Sequence, residues 1–344
     1  MRITVYSPAF YPLIGGLEEV ARLSCIEFAK SGHEVVVLTK TALGDNPELP
    51  FKVHRHPTFA TAFAAARSCH AFVEFNISLK GLVFPILAGK PAVISHQSWF
   101  SDIRRSPTFR ARLKRLASRF ATNIACSHAV KDHIGGSTTV IPNAYDEHTF
   151  RVFPNISRDS DLIFVGRLVS DKGCSLIIDA LKLLKQKGET PSLTIVGSGP
   201  EQVPIANQAD AMGVADQVRF TGPLKGHELA LELNRHRIMV APSLWAEPFG
   251  IVALEGIACG CHVVGSEGGG LVDAIGPCGR TFSNGDPHAL TRVLTDVLNA
   301  PAPNQNVAQS HLARHTSQAV GAAYIAELQK QLHHHSKFRN TELI

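Results

Sequence analysis

Short hydrophobic runs alternate with longer amphipathic segments along the whole chain. Nearly continuous apolar runs are typical of parallel strands that are covered on both faces. Amphipathic segments that end in glycine, such as residues 17–32 and 175–188, are typical of helices. The pattern predicts strands at residues 2–7, 33–39, 51–56, 71–76, 91–96, 123–127, 139–143, 162–166, 193–197, 218–222, 237–243 and 262–267.

This alternation predicts an α/β fold with two Rossmann-like, doubly wound parallel sheets. A chain of 344 residues is also longer than one core usually serves. We expect an N-terminal domain at 1–152 and a C-terminal domain at 153–320, with a helix and solvated tail at 321–344 that cross back to the N-terminal domain. Ligands of such sheets bind beyond the carboxyl ends of the strands, so the active site is expected in the cleft between the two halves.

Composition favours a cytoplasmic protein. Charged residues make up 18% of the chain, and no apolar run approaches the roughly 20 residues that span a bilayer. The first ten residues, MRITVYSPAF, have a strand pattern and not that of a signal peptide. Seven cysteines without a framework spacing agree with a reducing compartment. Cys259 and Cys261 lack the spacer of a zinc hook and are interpreted as small buried residues.

Positive charge is concentrated in residues 103–120, which contain seven lysines and arginines and no acidic residue. Phe109, Leu113, Leu116 and Phe120 recur there at helical spacing. One interpretation is the solvated face of an amphipathic helix. The other is a surface for anionic lipid head groups or a phosphate-bearing acceptor. A nucleic-acid site is disfavoured, because no aromatic residues suited to base stacking interleave the arginines.

Three features point to a phosphorylated ligand. Gly15 and Gly16 lie between the first strand and the first helix, where a helix N-terminus presents N–H groups to an anion. Arg167 and Lys172 follow a buried strand and supply two fixed cations. The third feature is a predicted helix whose first turn holds residues 249–251, namely Phe249, Gly250 and Ile251.

Two glutamates stand eight residues apart in the apolar stretch WAEPFGIVALEGIACG, residues 245–260. Carboxylates in apolar surroundings cost free energy unless they meet a partner. Glu247 and Glu255 are therefore satisfied either within the fold or by a ligand.

Two other site classes are disfavoured. The glycine fingerprint of nicotinamide-dependent enzymes is incomplete, and no carboxylate closes the second strand. Asp159 and Asp161 form an Asp-x-Asp that lies in the linker before a strand. No other cluster has metal-ligand spacing, so we expect a site without metal and without a cofactor.

Taken together, the motifs resemble glycosyltransferase family 4, a group of retaining enzymes with the two-domain GT-B fold. The resemblance is carried in order by PLIGGLEEVA, VISH, ACSHAVKD, VIPNAYD, FVGRLVSDKG, LTIVGSGPE, VRFTG and PSLWAEPFGIVALEGIACG, between residues 12 and 260. Two departures concern Asn143-Ala144, where the family usually has Asn-Gly, and Asp273 at a position that is often glutamate.

The resemblance implies a role for each matching residue. Glu255 would bind the ribose of a nucleotide-sugar and Glu247 the hydroxyls of the transferred sugar. Arg167 and Lys172 would bind the diphosphate, which Gly16 of the first loop would also reach. His96, at the end of VISH, would lie beside the reacting sugar, although a hydrogen-bonded core histidine is the alternative.

The function so implied is retaining transfer of a hexose from a nucleotide-sugar to a saccharide or lipid-linked saccharide, with UDP and glucose favoured by family frequency. The base is expected near residues 197–201 and 218–222. Two alternatives stay open: a catalytically silent nucleotide-sugar-binding subunit, and a GT-B epimerase or phosphorylase.

Overall fold

The computed structural model describes residues 1–13, 15–42, 48–101 and 108–341, without the side chains of 334 and 336–341. The chain divides into two compact units, Met1–Ala144 with Thr316–Ile344, and Tyr145–His315. Each unit is built on its own sheet, and every strand pair within either sheet is parallel. The predicted fold class of two doubly wound α/β units is confirmed.

The first unit holds a seven-stranded sheet in the order β3-β2-β1-β4-β5-β6-β7. Its strands are β1 (Arg2–Ser7), β2 (Glu34–Thr39), β3 (Lys52–Arg55), β4 (Ala71–Phe75), β5 (Ala92–His96), β6 (Thr122–Ala125) and β7 (Thr138–Val140). Its helices are α1 (Gly16–Lys30), α2 (Phe59–Ser68), α3 (Leu79–Leu87), α4 (Phe109–Ser118), α5 (His128–Ile134) and, from the end of the chain, α13 (Ser317–Thr341).

The C-terminal helix α13 packs against α1 within the first unit. Tyr324 is buried between the rings of Phe28 and Phe75, and its hydroxyl lies 2.6 Å from the Ser95 hydroxyl. Helix α13 continues without a break to Thr341, so the expected tail is helical over most of its length.

The second unit holds a six-stranded sheet in the order β10-β9-β8-β11-β12-β13. Its strands are β8 (Ser160–Val165), β9 (Leu193–Val196), β10 (Val218–Gly222), β11 (His236–Ala241), β12 (His262–Ser266) and β13 (Gly279–Phe282). Its helices are α6 (Cys174–Gln186), α7 (Gln202–Ala211), α8 (Gly226–Arg235), α9 (Ile251–Ala258), α10 (Leu271–Ile275), α11 (Pro287–Leu298) and α12 (Gln305–Leu312). Short 3-10 helices lie at Ser170–Lys172, Ala215–Gln217 and Gly276–Cys278.

The boundaries between the units differ from those expected from the sequence. Residues 145–152 lie in the second unit, because the segment that follows the first unit is hydrogen-bonded to helix α8 of the second. The backbone of Phe153 donates to Asn234, whose amide donates to the carbonyl of Arg151. The second boundary falls at residue 315, just before α13 begins.

The twelve predicted strands are all present within a few residues of their predicted bounds, but β13 was missed. Its sequence, GRTF, has one apolar residue and a glycine, so it carries no strand pattern of its own. It forms by pairing with β12, where Val264 lies opposite Arg280.

Candidate active site

Most of the predicted donor-binding residues lie in loops that follow the carboxyl ends of β8 and β11 in the second unit. Arg167 comes two residues after β8 and is exposed. Lys172 ends the short 3-10 helix Ser170–Lys172, and Glu247 lies in the loop between β11 and α9. The crevice beyond these strand ends is where open α/β sheets bind their ligands.

Lys172 and Glu247 contact each other. The ammonium Nζ of Lys172 lies 2.5 Å from Oε1 of Glu247, and the two side chains are 25% and 11% exposed. The hydroxyl of Ser243 donates to the same oxygen at 2.7 Å. The charge of Glu247 is therefore balanced within the fold, although the sequence assigned Lys172 to a diphosphate and Glu247 to a sugar.

Two glycines let neighbouring loops pack closely against the loop that carries Glu247. Gly173 follows Lys172 with a positive φ of 67°, and a Cβ there would collide with the carbonyl of Pro242. Gly269 has a φ of 82°, and a Cβ there would collide with the carbonyl of Glu247. The N–H of Gly270 donates to that same carbonyl at 2.6 Å. A side chain at Gly173 would push the loops of Lys172 and Glu247 apart, and one at Gly269 would displace the loop of Glu247.

Asn284 joins the loop after β12 to the loop that carries Ser243. Its amide Nδ2 donates to the Ser243 carbonyl at 2.9 Å, and its Oδ1 accepts from the N–H of Gly268 at 2.8 Å. Sequence reasoning missed Ser243 and Asn284. The signal for Gly269 was the run EGGG directly after a strand, whereas nothing local marked the serine or the asparagine.

The helix that follows Glu247 begins later than expected. Gly250 is the N-cap of α9, with a φ of 101°, and Ile251 is its first residue. Phe249 precedes the helix and is buried, with its ring centroid 5.8 Å from that of His315. Its placement in the first helical turn is therefore wrong. No side chain caps α9, so its first N–H groups are suited to an anion.

Two further groups in this part of the second unit bear on ligand binding. Glu255 lies on α9, one turn after Ile251, and is partly buried. The indole N–H of Trp245, two residues before Glu247, is buried and has no hydrogen-bond partner among the described residues. A buried donor without a partner is costly, so Trp245 is available to a ligand acceptor.

His96 is the last residue of β5 in the first unit and is completely buried. Its Nε2 lies 2.8 Å from Oδ1 of Asn123. The amide nitrogen of Asn123 donates to the carbonyls of Ser118 and Ala121, which fixes its oxygen towards the histidine. Nε2 therefore carries the hydrogen, and Nδ1 is an acceptor without a partner among the described residues.

Burial lowers the pKa of His96 to about 4, although the Asn123 hydrogen bond opposes the shift. The unfolded chain then binds a proton between pH 6.5 and 4 that the native state does not, so His96 lowers stability as the pH falls through that window. Between pH 7 and pH 5 this loss should be about 2 kcal/mol.

His96→Gln should abolish this loss of stability between pH 7 and pH 5, because a glutamine amide can still donate to Asn123 and does not titrate. Urea unfolding of both proteins at pH 7 and pH 5 measures the difference. An equal pH dependence in the two proteins would contradict the neutral, buried state of His96.

Gly15 and Gly16 lie at the start of α1, as predicted. Gly15 is the N-cap and Gly16 the first helical residue, and both are exposed. The carboxylate of Glu18 folds back against Gly15, where an added Cβ would collide with it. The N-terminus of α1 therefore already faces a carboxylate, which an incoming phosphate would have to displace.

One carboxylate of the Asp-x-Asp pair, that of Asp161, already contacts other residues of the second unit. Asp161 lies inside β8 and not in a linker, and its carboxylate accepts from the backbone and hydroxyl of Ser192. Arg237 lies 3.5 Å from it. Within the described ranges, no group of three or more histidine, cysteine, aspartate or glutamate residues could hold a metal ion.

Comparison with known proteins identifies the family of the second unit. Residues 146–314, nearly the whole second unit, match the family described as glycosyl transferases group 1. The second unit therefore belongs to this family, and the chain as a whole has the two-domain GT-B fold of glycosyltransferases.

Two curated relatives and one solved structure illustrate the similarity. A glycogen synthase of Mycobacterium tuberculosis is 29% identical over 92% of this chain and 91% of its own. A GDP-mannose-dependent alpha-(1-6)-phosphatidylinositol monomannoside mannosyltransferase of Mycolicibacterium smegmatis is 32% identical over 44% of this chain and 42% of its own. The structure of Anabaena HepE in complex with UDP has a TM-score of 0.79 at 19% identity, covering 96% of this chain and all of that one.

No helix among the described residues is long and apolar enough to cross a membrane. All seven cysteines lie among the described residues and are buried thiols. The interpretation of Cys259 and Cys261 as small buried residues is confirmed.

Proposed function

We propose that the protein is a retaining glycosyltransferase that moves a hexose from a UDP-sugar to a hydroxyl of a saccharide or lipid-linked saccharide. The observation that carries the proposal is the Lys172–Glu247 pair, held by glycine-rich loops beyond the carboxyl ends of the second sheet. A cation and a carboxylate placed there offer one group to a phosphate and one to sugar hydroxyls.

Each charged group has a distinct role in the proposed donor complex. Arg167 and Lys172 bind the diphosphate, together with the uncapped N-terminus of α9. Glu255 accepts hydrogen bonds from the ribose hydroxyls. Glu247 releases Lys172 to the phosphate and accepts from hydroxyls of the hexose, while Ser243 keeps its carboxylate in position.

Retention is implied by the family resemblance, and we propose that it proceeds without a covalent intermediate on Glu247. Oε1 of Glu247 accepts from the hydroxyl of Ser243, and this hydrogen bond persists in the proposed complex when Lys172 moves to the phosphate. The carboxylate then acts as a stabilising charge and not as a nucleophile. We propose that the departing phosphate oxygen takes the acceptor proton on the same face of the sugar. The cations stabilise the nucleoside diphosphate as it leaves.

The choice of UDP and glucose rests on the relatives. HepE has been solved with UDP and with UDP-glucose, and the M. tuberculosis relative is named a glycogen synthase. The GDP-mannose dependence of the M. smegmatis relative makes GDP-mannose the competing donor. We place the reaction in the cytoplasm, with which seven buried thiols agree.

A panel of nucleotide-sugars tests the proposal. We expect UDP-glucose to raise the melting temperature most and to release UDP, slowly alone and faster with a glucan or lipid-linked saccharide. EDTA should leave this activity intact, because fixed cations and a helix N-terminus supply the counter-charge.

Other results would contradict specific parts of the proposal. Binding without turnover of any donor would indicate a silent subunit, and conversion of the nucleotide-sugar without release of UDP would indicate an epimerase. Loss of activity in EDTA that magnesium or manganese restores would refute metal independence and bring Asp159 and Asp161 back as candidates.

A further inference from the structure

Large hydrophobic side chains at the surface are concentrated on three helices of the first unit. Of the twelve exposed large hydrophobic residues among those described, eight lie between residues 59 and 120. They are Phe59 on α2, Val83, Ile86 and Leu87 on α3, and Phe109, Leu113, Leu116 and Phe120 on or just after α4. Helix α3 packs against both α2 and α4, so these helices form one layer over the sheet.

Helix α4 turns its large apolar side chains away from the protein. Its buried residues are small, Ala111 and Ser118. Phe109 is 75% exposed and Leu116 51% exposed, and Leu113 is exposed as well. At about 100° per residue, these three and Phe120 occupy an arc of roughly 60° centred opposite the buried residues. The sequence predicted the spacing, but only the structure shows that this apolar stripe is not the core face.

The apolar stripe is flanked by positive charge. Arg112 and Arg119 lie on one side of it and Arg110 on the other, and all three are exposed. The described residues 59–101 and 108–120 include a single acidic side chain, Glu74, which is fully buried in β4. Burial raises the pKa of Glu74 well above its usual range, so it adds little negative charge.

We propose that the protein docks on an anionic lipid bilayer through α4, with the apolar stripe inserted at the level of the head groups. Phenylalanine and leucine on the outer face of a basic helix suit the boundary between head groups and acyl chains, while the flanking arginines reach lipid phosphates. Docking goes beyond the proposed transfer reaction and does not depend on the identity of the donor. Residues 103–107 of the predicted basic segment lie outside the described residues and are not part of the argument.

Co-sedimentation of the full-length protein with vesicles tests docking. We expect strong binding to vesicles of phosphatidylcholine with phosphatidylglycerol, weak binding to phosphatidylcholine alone, and a decline as salt rises. Arg112→Glu/Arg119→Glu should weaken binding at least about 25-fold, because each arginine near an anionic surface contributes about fivefold to the affinity. Phe109→Ser/Leu116→Ser should weaken it at least about tenfold, because each side chain loses its apolar burial.

Matched controls come from exposed residues of the second unit. Lys187→Glu/Arg292→Glu changes the net charge by the same amount as the α4 double variant. Val203→Ser removes an apolar side chain that is 67% exposed. Both controls should stay within about twofold of the wild type. UDP binding and thermal unfolding of all variants should match the wild type, which separates docking from folding and from the donor site.

Three outcomes would overturn the proposal. One is equal binding to vesicles with and without phosphatidylglycerol. Another is unchanged binding of both α4 variants. The third is a wild type that ignores vesicles but forms a dimer, or binds a soluble anionic glycan, through the same α4 residues.

Discussion

Lys172→Ala should lower the catalytic efficiency with the nucleotide-sugar by roughly 10- to 150-fold, the equivalent of one charge-assisted contact of about 1.5–3 kcal/mol. The lysine ends a 3-10 helix, and Gly173 directly after it lets this loop pack closely against the loop after β11. Arg167→Ala should cause a loss of the same order, because the second cation shares the diphosphate. Steady-state release of UDP with saturating acceptor measures both.

Lys172→Ala also removes the ion partner of Glu247, so stability has to be measured together with activity. Lys172→Ala leaves a mostly buried carboxylate held only by Ser243, and the melting temperature should fall. In a double-mutant cycle, Glu247→Gln should recover much of that stability but none of the lost UDP affinity. Lys187→Ala, at an exposed position after α6, is the control. Near-normal turnover in both Lys172→Ala and Arg167→Ala would refute the donor site.

The strands of both units could be predicted from the sequence because buried parallel strands must be apolar on both faces. β11 is an example: Ile238, Met239 and Val240 are all almost fully buried. β13 could not be predicted, since GRTF becomes a strand only by pairing with β12 at the edge of the sheet. The end of α13 was missed for a related reason: charged and histidine-rich residues can continue a helix without an apolar pattern.

The site was predictable in its residue types but not in its contacts. Arg167, Lys172 and Glu247 were placed by motifs near strand ends. The pairing of Lys172 with Glu247 joins positions 75 residues apart. It depends on Gly173 and Ser243, and no local pattern marks either residue for that role. Such contacts arise from the fold, because parallel strands bring distant loops to one edge of a sheet.

The basic helix shows the limit of periodicity. Spacing alone indicates that four apolar side chains share one face of a helix, and that face usually packs on the core. In α4 the core face is taken by Ala111 and Ser118, whose small size lets the helix lie close to the first unit. Which of two faces is buried depends on the shape of the neighbouring helix layer, and the sequence of α4 does not contain that information.

Glu247→Ala and Glu255→Ala should affect UDP in different ways. UDP contains the ribose that Glu255 is proposed to bind, so Glu255→Ala should weaken UDP binding by roughly tenfold or more. UDP contains no hexose, so Glu247→Ala should leave its affinity unchanged or higher, because Lys172 no longer has to leave its carboxylate partner.

The cost of Glu247→Ala should appear in the transfer step. A carboxylate helps most when the sugar gains positive charge, so kcat should fall by about 100- to 1000-fold, the range seen when one preorganised electrostatic contact is removed. Calorimetric titration with UDP and single-turnover transfer from UDP-glucose separate the two effects. Equal losses of UDP affinity in both variants would place Glu247 among the structural residues. Its task would then be to hold Lys172 and the turn at Pro248-Phe249-Gly250, and the hexose would have to be bound by other groups, of which the unpaired indole N–H of Trp245 is the first to test.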